Sequence, residues 1–303
     1  MPSDAVIAIP TFRRPAGLAR LLGSLRPSLD SHRAVVLVGD NACDPAIRDL
    51  VAGFARDYPG TRYLPVPERG ISQNRNALLA AYRQDHADVP WLAMLDDDLA
   101  APPDWLARMI AAGRDNDADC VGGPYVIDPA GRPMTRLVRN SILLNRPNPA
   151  TGPVDLFHAG GNVLLSRRIL LGEPQLWFDG RLGRSGGEDS DFLTRAKARG
   201  ARFAWAAEAL CLEEFPLERA TAGYVFNRYF STGNSMAHIS MAGRHRAVVM
   251  LLVARRLVAS LVRMTACLAR LDLDRAVQRA FDATWALGGL GAVLGLGRAE
   301  RYG

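Results

Sequence analysis

Short apolar runs alternate with amphipathic segments over the first hundred residues of the chain. The apolar runs have the length and composition of strands buried on both faces, and they lie at Ala5–Ile9, Ala34–Val38, Arg62–Val66 and Trp91–Leu95. Helical spacing of leucines after the first run, and further helices over residues 45–58 and 70–79, fill the intervals; Ser72 is a candidate N-cap of the last helix. This alternation predicts an α/β fold with a mostly parallel sheet flanked by helices.

The second half of the chain is less regular. Two more strands are predicted at 119–123 and Asn162–Ser166, and residues 128–155, rich in Pro, Arg and Asn, predict a long loop or lid. A glycine-rich turn over 183–187 leads into a helix that begins with Glu188 and Asp189.

Three consecutive aspartates, Asp96, Asp97 and Asp98, follow the fourth predicted strand. Ligands of open α/β sheets bind at the carboxyl ends of strands, so these side chains lie where a site is expected. Adjacent carboxylates repel one another unless a cation offsets them, and hard divalent ions such as Mg²⁺ or Mn²⁺ prefer oxygen ligands. An acidic surface turn ahead of the next helix is the alternative interpretation.

Composition narrows the class of protein. The 303 residues are 49% hydrophobic and 22% charged, which is enough to form a packed core. The net charge of +6 comes mostly from a diffuse excess of arginine without a basic and aromatic platform, so nucleic-acid binding is not expected. The four cysteines form no Cys-x-x-Cys pair and are typical of free thiols in a reducing compartment, and the N-terminus predicts a strand rather than a signal peptide.

Several short motifs, in this order, resemble those of glycosyltransferase family 2. They are Ile9–Arg13, Gly39–Asn41, Asn74–Asn76, Asp96–Asp98, Gly161–Asn162 and Gly187–Phe192, and the resemblance covers roughly residues 4–235. A later stretch from Glu213, with Ser231–Gly233 after it, is most similar to bacterial exopolysaccharide enzymes of the succinoglycan type. The resemblance implies a GT-A type, Rossmann-like fold that binds a nucleotide sugar.

The resemblance also implies a metal site. Asp98 would be the metal ligand, Asp96 would hold the ribose or the ion, and Asp97 would support the turn or the donor. Many relatives have a histidine further along the chain, where this sequence has Cys211-Leu-Glu; Glu213 could supply an oxygen ligand in its place. The expected ion is Mg²⁺ or Mn²⁺, and the sequence does not decide between them.

Other residues would bind the donor. By resemblance, Pro10, Thr11 and Phe12 line the nucleotide, with Phe12 stacked on the base, and Asp40 accepts from the N–H edge of a uracil-type base. Arg75 would reach the base or the diphosphate as a fixed cation. The alternatives are a turn aspartate at Asp40 and a solvated helix position at Arg75.

The remaining roles concern the acceptor. A sugar hydroxyl is a poor nucleophile, and a positioned carboxylate can take its proton as it attacks. By resemblance Asp189 is that base and Glu188 orients the acceptor, which implies a single displacement with inversion. Acids that merely favour a helix N-terminus are the alternative. His158 is a candidate acceptor contact, and an ordinary structural histidine is the other interpretation.

We expect two domains, a catalytic domain over 1–240 and a helical extension over 241–303. The extension is apolar and basic, and Arg256, Arg263 and Arg270 recur every seven residues near one helix face. Such a stripe suits an anionic membrane surface, whereas a helical hairpin packed on the catalytic domain fits equally well. No stretch has the length of a transmembrane segment, so the expected location is cytoplasmic, with peripheral contact to the inner membrane left open.

The sequence therefore predicts a metal-dependent inverting hexosyltransferase that uses a nucleotide sugar, expected to be UDP-linked, and acts on a saccharide or polyprenyl-linked acceptor in polysaccharide biosynthesis. A sugar-nucleotide nucleotidyltransferase is a second hypothesis, although residues 10–15 contain no glycine to grip a triphosphate. An inactive GT-A scaffold subunit of a membrane polysaccharide assembly is a third.

Overall fold

The structure is a computed structural model that describes residues 3–127, 133–158, 160–183, 186–216 and 220–297. The chain forms two compact units. The first comprises residues 1–126, 147–183 and 188–214, and the second, which we call the helical unit, comprises residues 127–146, 184–187 and 215–303. By this division, residues 215–216 and 220–240 belong with the C-terminal helices, and the catalytic domain expected over 1–240 stays a prediction.

The elements follow one another in this order. The strands are β1 (Ala5–Thr11), β2 (Ala34–Asp40), β3 (Thr61–Pro65), β4 (Trp91–Leu95), β5 (Leu99–Ala100), β6 (Cys120–Gly122), β7 (Tyr125–Ile127), β8 (Gly152–Val154), β9 (Asn162–Ser166), β10 (Phe203–Trp205) and β11 (Cys211–Glu213). The helices are α1 (Pro15–Ser31), α2 (Pro45–Asp57), α3 (Ile71–Asp85), α4 (Trp105–Asp115), α5 (Arg136–Arg139), α6 (Arg167–Leu171), α7 (Glu188–Ala198), α8 (Ala222–Gly243), α9 (Arg246–Ala269) and α10 (Leu273–Leu294). A 3₁₀ turn covers Gly180–Leu182.

Eight strands form the main sheet, in the order β3-β2-β1-β4-β9-β6-β10-β8. The first four are parallel, as the strand–helix alternation predicts, whereas β9 is antiparallel to both β4 and β6, and β8 is antiparallel to β10. The predicted α/β class with a mainly parallel sheet and C-terminal helices is confirmed. The sequence between 128 and 155, predicted as a loop, contains α5 and β8, and its residues 128–132 lie outside the described residues.

Alternation along the strands divides the core into two layers. Ile7 and Ile9 of β1 pack in the layer that contains α1, α2 and α4, and Val6 and Ala8 pack in the layer that contains α3 and α7. Both layers are fully buried, which explains why the strands read as continuous apolar runs rather than as alternating patterns.

Two expectations about helix ends can be compared with the structure. Helix α3 begins at Ile71 after Gly70, whose φ of 135° is one that only glycine adopts readily, so Ser72 is not the N-cap. Ser72 is instead the second residue of the helix. Its side chain is fully buried, and its hydroxyl has no hydrogen-bond partner among the described residues. Helix α7 begins at Glu188, as predicted, and follows two glycines with positive φ, Gly186 and Gly187.

Small residues set the packing of the helical unit. A Cβ at Gly233 would lie 1.8 Å from the Trp285 carbonyl oxygen, and a Cβ at Gly288 would lie 1.9 Å from that of Phe230. These glycines let α8 and α10 approach until their backbones touch, which accounts for the glycine-rich sequence of α10. Within the described residues, no helix combines the length and apolarity that crossing a membrane would require.

Candidate active site

Asp97 is the innermost of the three aspartates that follow β4. Its residue is 6% exposed, and its carboxylate accepts a hydrogen bond from Thr11 Oγ1 at 2.7 Å and one from Arg14 Nη1 at 3.4 Å. Burial raises the pKa of Asp97 to about 7, and the Thr11 hydroxyl and the Arg14 charge limit that rise. The hydrogen bond between Thr11 and Asp97 joins the ends of β1 and β4. These contacts are the ones expected if Asp97 supports the turn.

Asp98 lies nearer to the solvent and is paired with Arg14. Its Oδ2 accepts from Arg14 Nη1 at 2.7 Å, and its side chain is 28% exposed. The Asp98 carbonyl oxygen accepts from the Glu214 backbone N–H at 2.6 Å and from Arg20 Nη2 at 2.7 Å. These bonds tie the aspartate turn to β11, where Glu213 is paired with Leu99.

The fit of a divalent cation to this turn depends on Arg14. In the described part of the chain, no three His, Cys, Asp or Glu side chains are grouped to hold a metal ion, and Glu213 therefore does not complete such a group with Asp98. The donors available at Asp96 and Asp98 are nevertheless the hard oxygens that Mg²⁺ and Mn²⁺ prefer. These oxygens fit such an ion chemically, provided that the Arg14 guanidinium, which is paired with Asp98, moves away and leaves room for it.

Arg75 of α3 joins the two acidic clusters that the sequence separates by about ninety positions. The residue is 3% exposed, and its guanidinium donates to Asp96 Oδ1 at 3.1 Å and to Glu188 Oε1 at 2.8 Å. The pKa of Arg75 is raised, since burial alone would lower it and the charges of Asp96, Glu188 and Asp189 more than reverse that effect. A solvated helix position, the alternative for Arg75, is excluded by this burial.

Glu188 is buried with fewer partners than its charge requires. Its Oε2 has no hydrogen-bond partner among the described residues, and Glu188 is 4% exposed. Burial raises its pKa to about 7, while Arg75 lowers that pKa and the neighbouring Asp189 raises it. The cluster thus contains three carboxylates, those of Asp96, Glu188 and Asp189, around one arginine, and this surplus of negative charge is favourable for a cationic ligand.

Aromatic rings and loop contacts fix the Arg75 side chain. Its guanidinium lies 5.5 Å from the ring centre of Phe178, which stacks at 4.5 Å on Phe192 of α7. Asn76 of the same helix exchanges two hydrogen bonds with the Phe178 backbone, at 2.9 and 2.8 Å. Helix α3 therefore holds both the arginine and the segment that leads to Glu188.

Two glycines form the floor between Asp96 and Asp189. A Cβ at Gly160 would lie 2.4 Å from Asp189 Cβ, and a Cβ at Gly161 would lie 2.5 Å from Asp96 Oδ2. Asp189 is half-buried, and its Oδ1 accepts from the Ser190 backbone N–H at 2.7 Å. The carboxylates expected to act on donor and acceptor hence face the same short glycine segment, and side chains there would push them apart.

Asp40 is held in the turn after β2. The residue is fully buried, and its oxygens accept from the backbone N–H groups of Ala42 and Asp44, at 2.8 and 2.7 Å, and from Tyr63 Oη at 3.0 Å. These are the contacts of a turn aspartate, the alternative interpretation, and the base-reading role of Asp40 stays a prediction. Pro10 is likewise buried, opposite Gly39 in the sheet.

Phe12 remains accessible and is 38% exposed. The guanidinium carbons of Arg13 and Arg69 lie 5.1 and 5.8 Å from its ring centre, so an exposed aromatic face is combined with two cations. His158 is exposed just before the Gly160 segment, in agreement with a position at the site's edge.

Sequence reasoning missed the roles of two residues. Arg14 directly follows the first motif, and nothing in the sequence indicates that it pairs with Asp98. Asn162 is fully buried: its Oδ1 accepts from Trp105 Nε1 at 2.9 Å, and its Nδ2 donates to the carbonyls of Pro124 and Ala209 at 3.1 and 3.0 Å. Its place in a Gly-Asn motif was the only signal, and that signal does not distinguish such a structural hub from a ligand contact.

Comparison with known proteins identifies the family. The sequence pattern described as Glycosyl transferase family 2 matches residues 6–171. Succinoglycan biosynthesis protein ExoM of Rhizobium meliloti (strain 1021) is 33% identical over 254 residues, which are 81% of this chain and 79% of that protein.

Solved structures share the fold. A mannosyltransferase of Pyrobaculum calidifontis, PcManGT, in complex with GDP-Man and Mn²⁺, is 18% identical with a TM-score of 0.61 over 96% of this chain and 87% of that one. S. aureus TarS 1–349 in complex with UDP-GlcNAc is 14% identical with a TM-score of 0.52 over 78% of this chain and 66% of that one. This chain spans 40% of the length of a longer TarS chain. On the family match and the similarity to ExoM, the chain belongs to glycosyltransferase family 2.

Proposed function

We propose that the protein transfers a hexose from a nucleotide sugar, UDP-linked, to a hydroxyl of a saccharide or polyprenyl-linked oligosaccharide, with inversion, in the biosynthesis of an exopolysaccharide. The observation that carries the proposal is the Arg75 bridge, which gathers Asp96 and Glu188 around one cation beside Asp189. Similarity to a succinoglycan biosynthesis protein supports the polysaccharide product, and neighbours bound to UDP-GlcNAc and GDP-Man support the donor class.

The acceptor side of the proposal rests on Asp189. Asp189 is half-buried in the first turn of α7, where its Oδ1 accepts a hydrogen bond from the Ser190 backbone N–H at 2.7 Å. Asp189 takes the proton of the attacking hydroxyl, and Glu188, fixed by Arg75, orients the acceptor. A single base without an enzyme nucleophile leads to inversion at the anomeric carbon.

The donor side rests on Asp96, Asp98 and the exposed ring of Phe12. Phe12 stacks on the base, and the guanidinium groups beside it favour an anionic nucleotide. Asp98, with Asp96, would hold Mg²⁺ or Mn²⁺. Such an ion, when bound, offsets the charge that develops on the departing diphosphate.

The acceptor also determines where the enzyme works. A polyprenyl-linked acceptor is embedded in a bilayer, so the protein would act in the cytoplasm at the inner membrane surface.

A panel of nucleotide sugars, each with and without Mn²⁺, tests the proposal. We expect one UDP-sugar to be hydrolysed or transferred in a Mn²⁺-dependent way, and Asp98→Asn to weaken Mn²⁺-dependent donor binding. The matched control is Asp104→Asn, at an exposed aspartate ahead of α4 that forms an ion pair with Arg108. Failure of every nucleotide sugar to bind or react would contradict the proposal.

A further inference from the structure

An open groove of about 480 Å³ lies between α9 and α10 in the helical unit. Four arginines and one aspartate are among the residues that line it: Arg255, Arg256, Arg263, Arg279 and Asp282. Along the sequence, these guanidinium groups are far from the carboxylates of the candidate active site. The proposed reaction does not use them.

The groove has more positive than negative charge. The Asp282 carboxylate accepts from Arg256 at 3.3 Å and from Arg279 at 2.9 Å. Within the described residues, Arg255 and Arg263 have no carboxylate partner. Arg256 is also held in place by Trp285, whose ring centre lies 4.0 Å from its guanidinium carbon. With four arginines and one aspartate among its lining residues, the groove is therefore a cationic site with an excess of about three positive charges over the described residues that line it.

The outer face of α9 beside this groove is apolar. Leu251, Val258 and Val262 follow one another at intervals of seven and four residues, so they share a helix face, and they are 69%, 61% and 63% exposed. Helix α9 has four arginines and no acidic residue over its 24 positions. An exposed apolar stripe with a purely basic flank is the pattern of a helix that lies in the interface of an anionic membrane.

We propose that α9 lies in the interface of an anionic phospholipid bilayer, with Leu251, Val258 and Val262 among the acyl chains and the arginine groove around a headgroup phosphate. Guanidinium groups match phosphate oxygens in charge and in geometry. An uncharged partner surface would not require such groups. The membrane contact itself does not depend on the proposed function. Its purpose, the delivery of the enzyme to a lipid-linked acceptor, rests on the proposed function.

Flotation of the full-length protein with vesicles tests the contact. Vesicles of phosphatidylcholine alone are compared with vesicles that also contain phosphatidylglycerol. We expect binding mainly to the anionic vesicles and expect Arg255→Gln/Arg263→Gln to weaken it by about 30-fold, roughly fivefold for each arginine. The control, Arg48→Gln/Arg56→Gln on α2, makes the same change of net charge and should float like the wild type.

A second variant separates apolar insertion from charge. Leu251→Ser/Val258→Ser/Val262→Ser should lose most vesicle binding while retaining the wild-type melting temperature, because these side chains are exposed. Equal losses for the α2 control and the groove variant would overturn the inference. So would binding of free inorganic phosphate without vesicle flotation, or a self-associated protein that the triple substitution makes monomeric.

Donor hydrolysis in detergent-free solution keeps the two proposals apart. The groove variant should hydrolyse the nucleotide sugar at the wild-type rate, since the proposed reaction does not use these arginines. Flotation without hydrolysis by any variant or the wild type would reject the proposed reaction and leave the membrane contact standing. Hydrolysis without flotation of the wild type would do the reverse.

Discussion

Replacement of Arg75 by methionine tests whether one cation holds the acidic clusters together. Methionine retains most of the length of the side chain and removes the charge. The substitution leaves Asp96 and Glu188 without the guanidinium nitrogens that lie 3.1 and 2.8 Å from their oxygens in the wild type. Removal of one member of a buried ion pair costs about 3–5 kcal/mol, and we expect that loss in the free energy of unfolding at pH 8.

The penalty should depend on pH. The folded-state pKa of Glu188 is about 7, above its ordinary value of 4.5, so its contribution to stability is complete below pH 4.5 and is lost as the pH rises through 7. Without Arg75, which lowers that pKa, the loss continues above pH 7. We therefore expect the Arg75→Met penalty to be larger at pH 8 than at pH 6, by about 1–2 kcal/mol, or roughly one unit of pKa.

Urea denaturation at the two pH values, followed by tryptophan fluorescence, measures this difference. Four of the five tryptophans lie in the first unit, which contains Arg75. The matched control is Arg83→Met on the same helix. Arg83 donates to the carbonyls of Leu170 and Leu176, and it has no carboxylate partner at bonding distance within the described residues. Equal Arg75→Met penalties at pH 6 and 8, or a loss below about 1 kcal/mol, would refute the reasoning.

Two further predictions concern Arg14 and the glycine contact of the helical unit. Arg14→Gln should tighten Mn²⁺ binding by about fivefold, since it removes a half-exposed cation from Asp98. Titration calorimetry measures the affinity, with Arg26→Gln as the control. An unchanged affinity would show that Arg14 does not compete with the ion. Gly288→Ala should lower the free energy of unfolding by about 2–4 kcal/mol because its Cβ would overlap the Phe230 carbonyl, whereas Gly243→Ala, with open space around it, should cost nothing; a stable Gly288→Ala variant in a thermal melt would contradict the close crossing.

The sequence predicted those parts of the fold that depend on local patterns. Strand β4 and strand β9 have the predicted limits, because an apolar run bounded by polar or charged residues marks a buried strand directly. The start of α7 was also predicted, since glycines followed by acids favour a helix N-terminus. The reversed direction of β9 was not, because an apolar run has no directional signal.

Pairings between distant residues could not be predicted. The aspartate motif indicated a cation but not that Arg14 would be that cation in this structure. Asp40 matched a family motif, yet its burial depends on how Tyr63 and the following turn close over it. Similarly, the sequence shows that α10 is rich in glycine but not why. The reason is the close contact with α8, which only the structure shows.

The activity of Asp189→Asn tests the central claim most directly. The amide retains the shape of the side chain and cannot take a proton, so the account predicts wild-type affinity for the nucleotide sugar and a kcat for transfer lower by about 10²–10⁴-fold. The control is Asp191→Asn in the same first turn of α7, whose carboxylate pairs with Arg195 at 2.6 Å and points to no proposed ligand. Full transfer activity of Asp189→Asn, measured at saturating donor, would contradict the account.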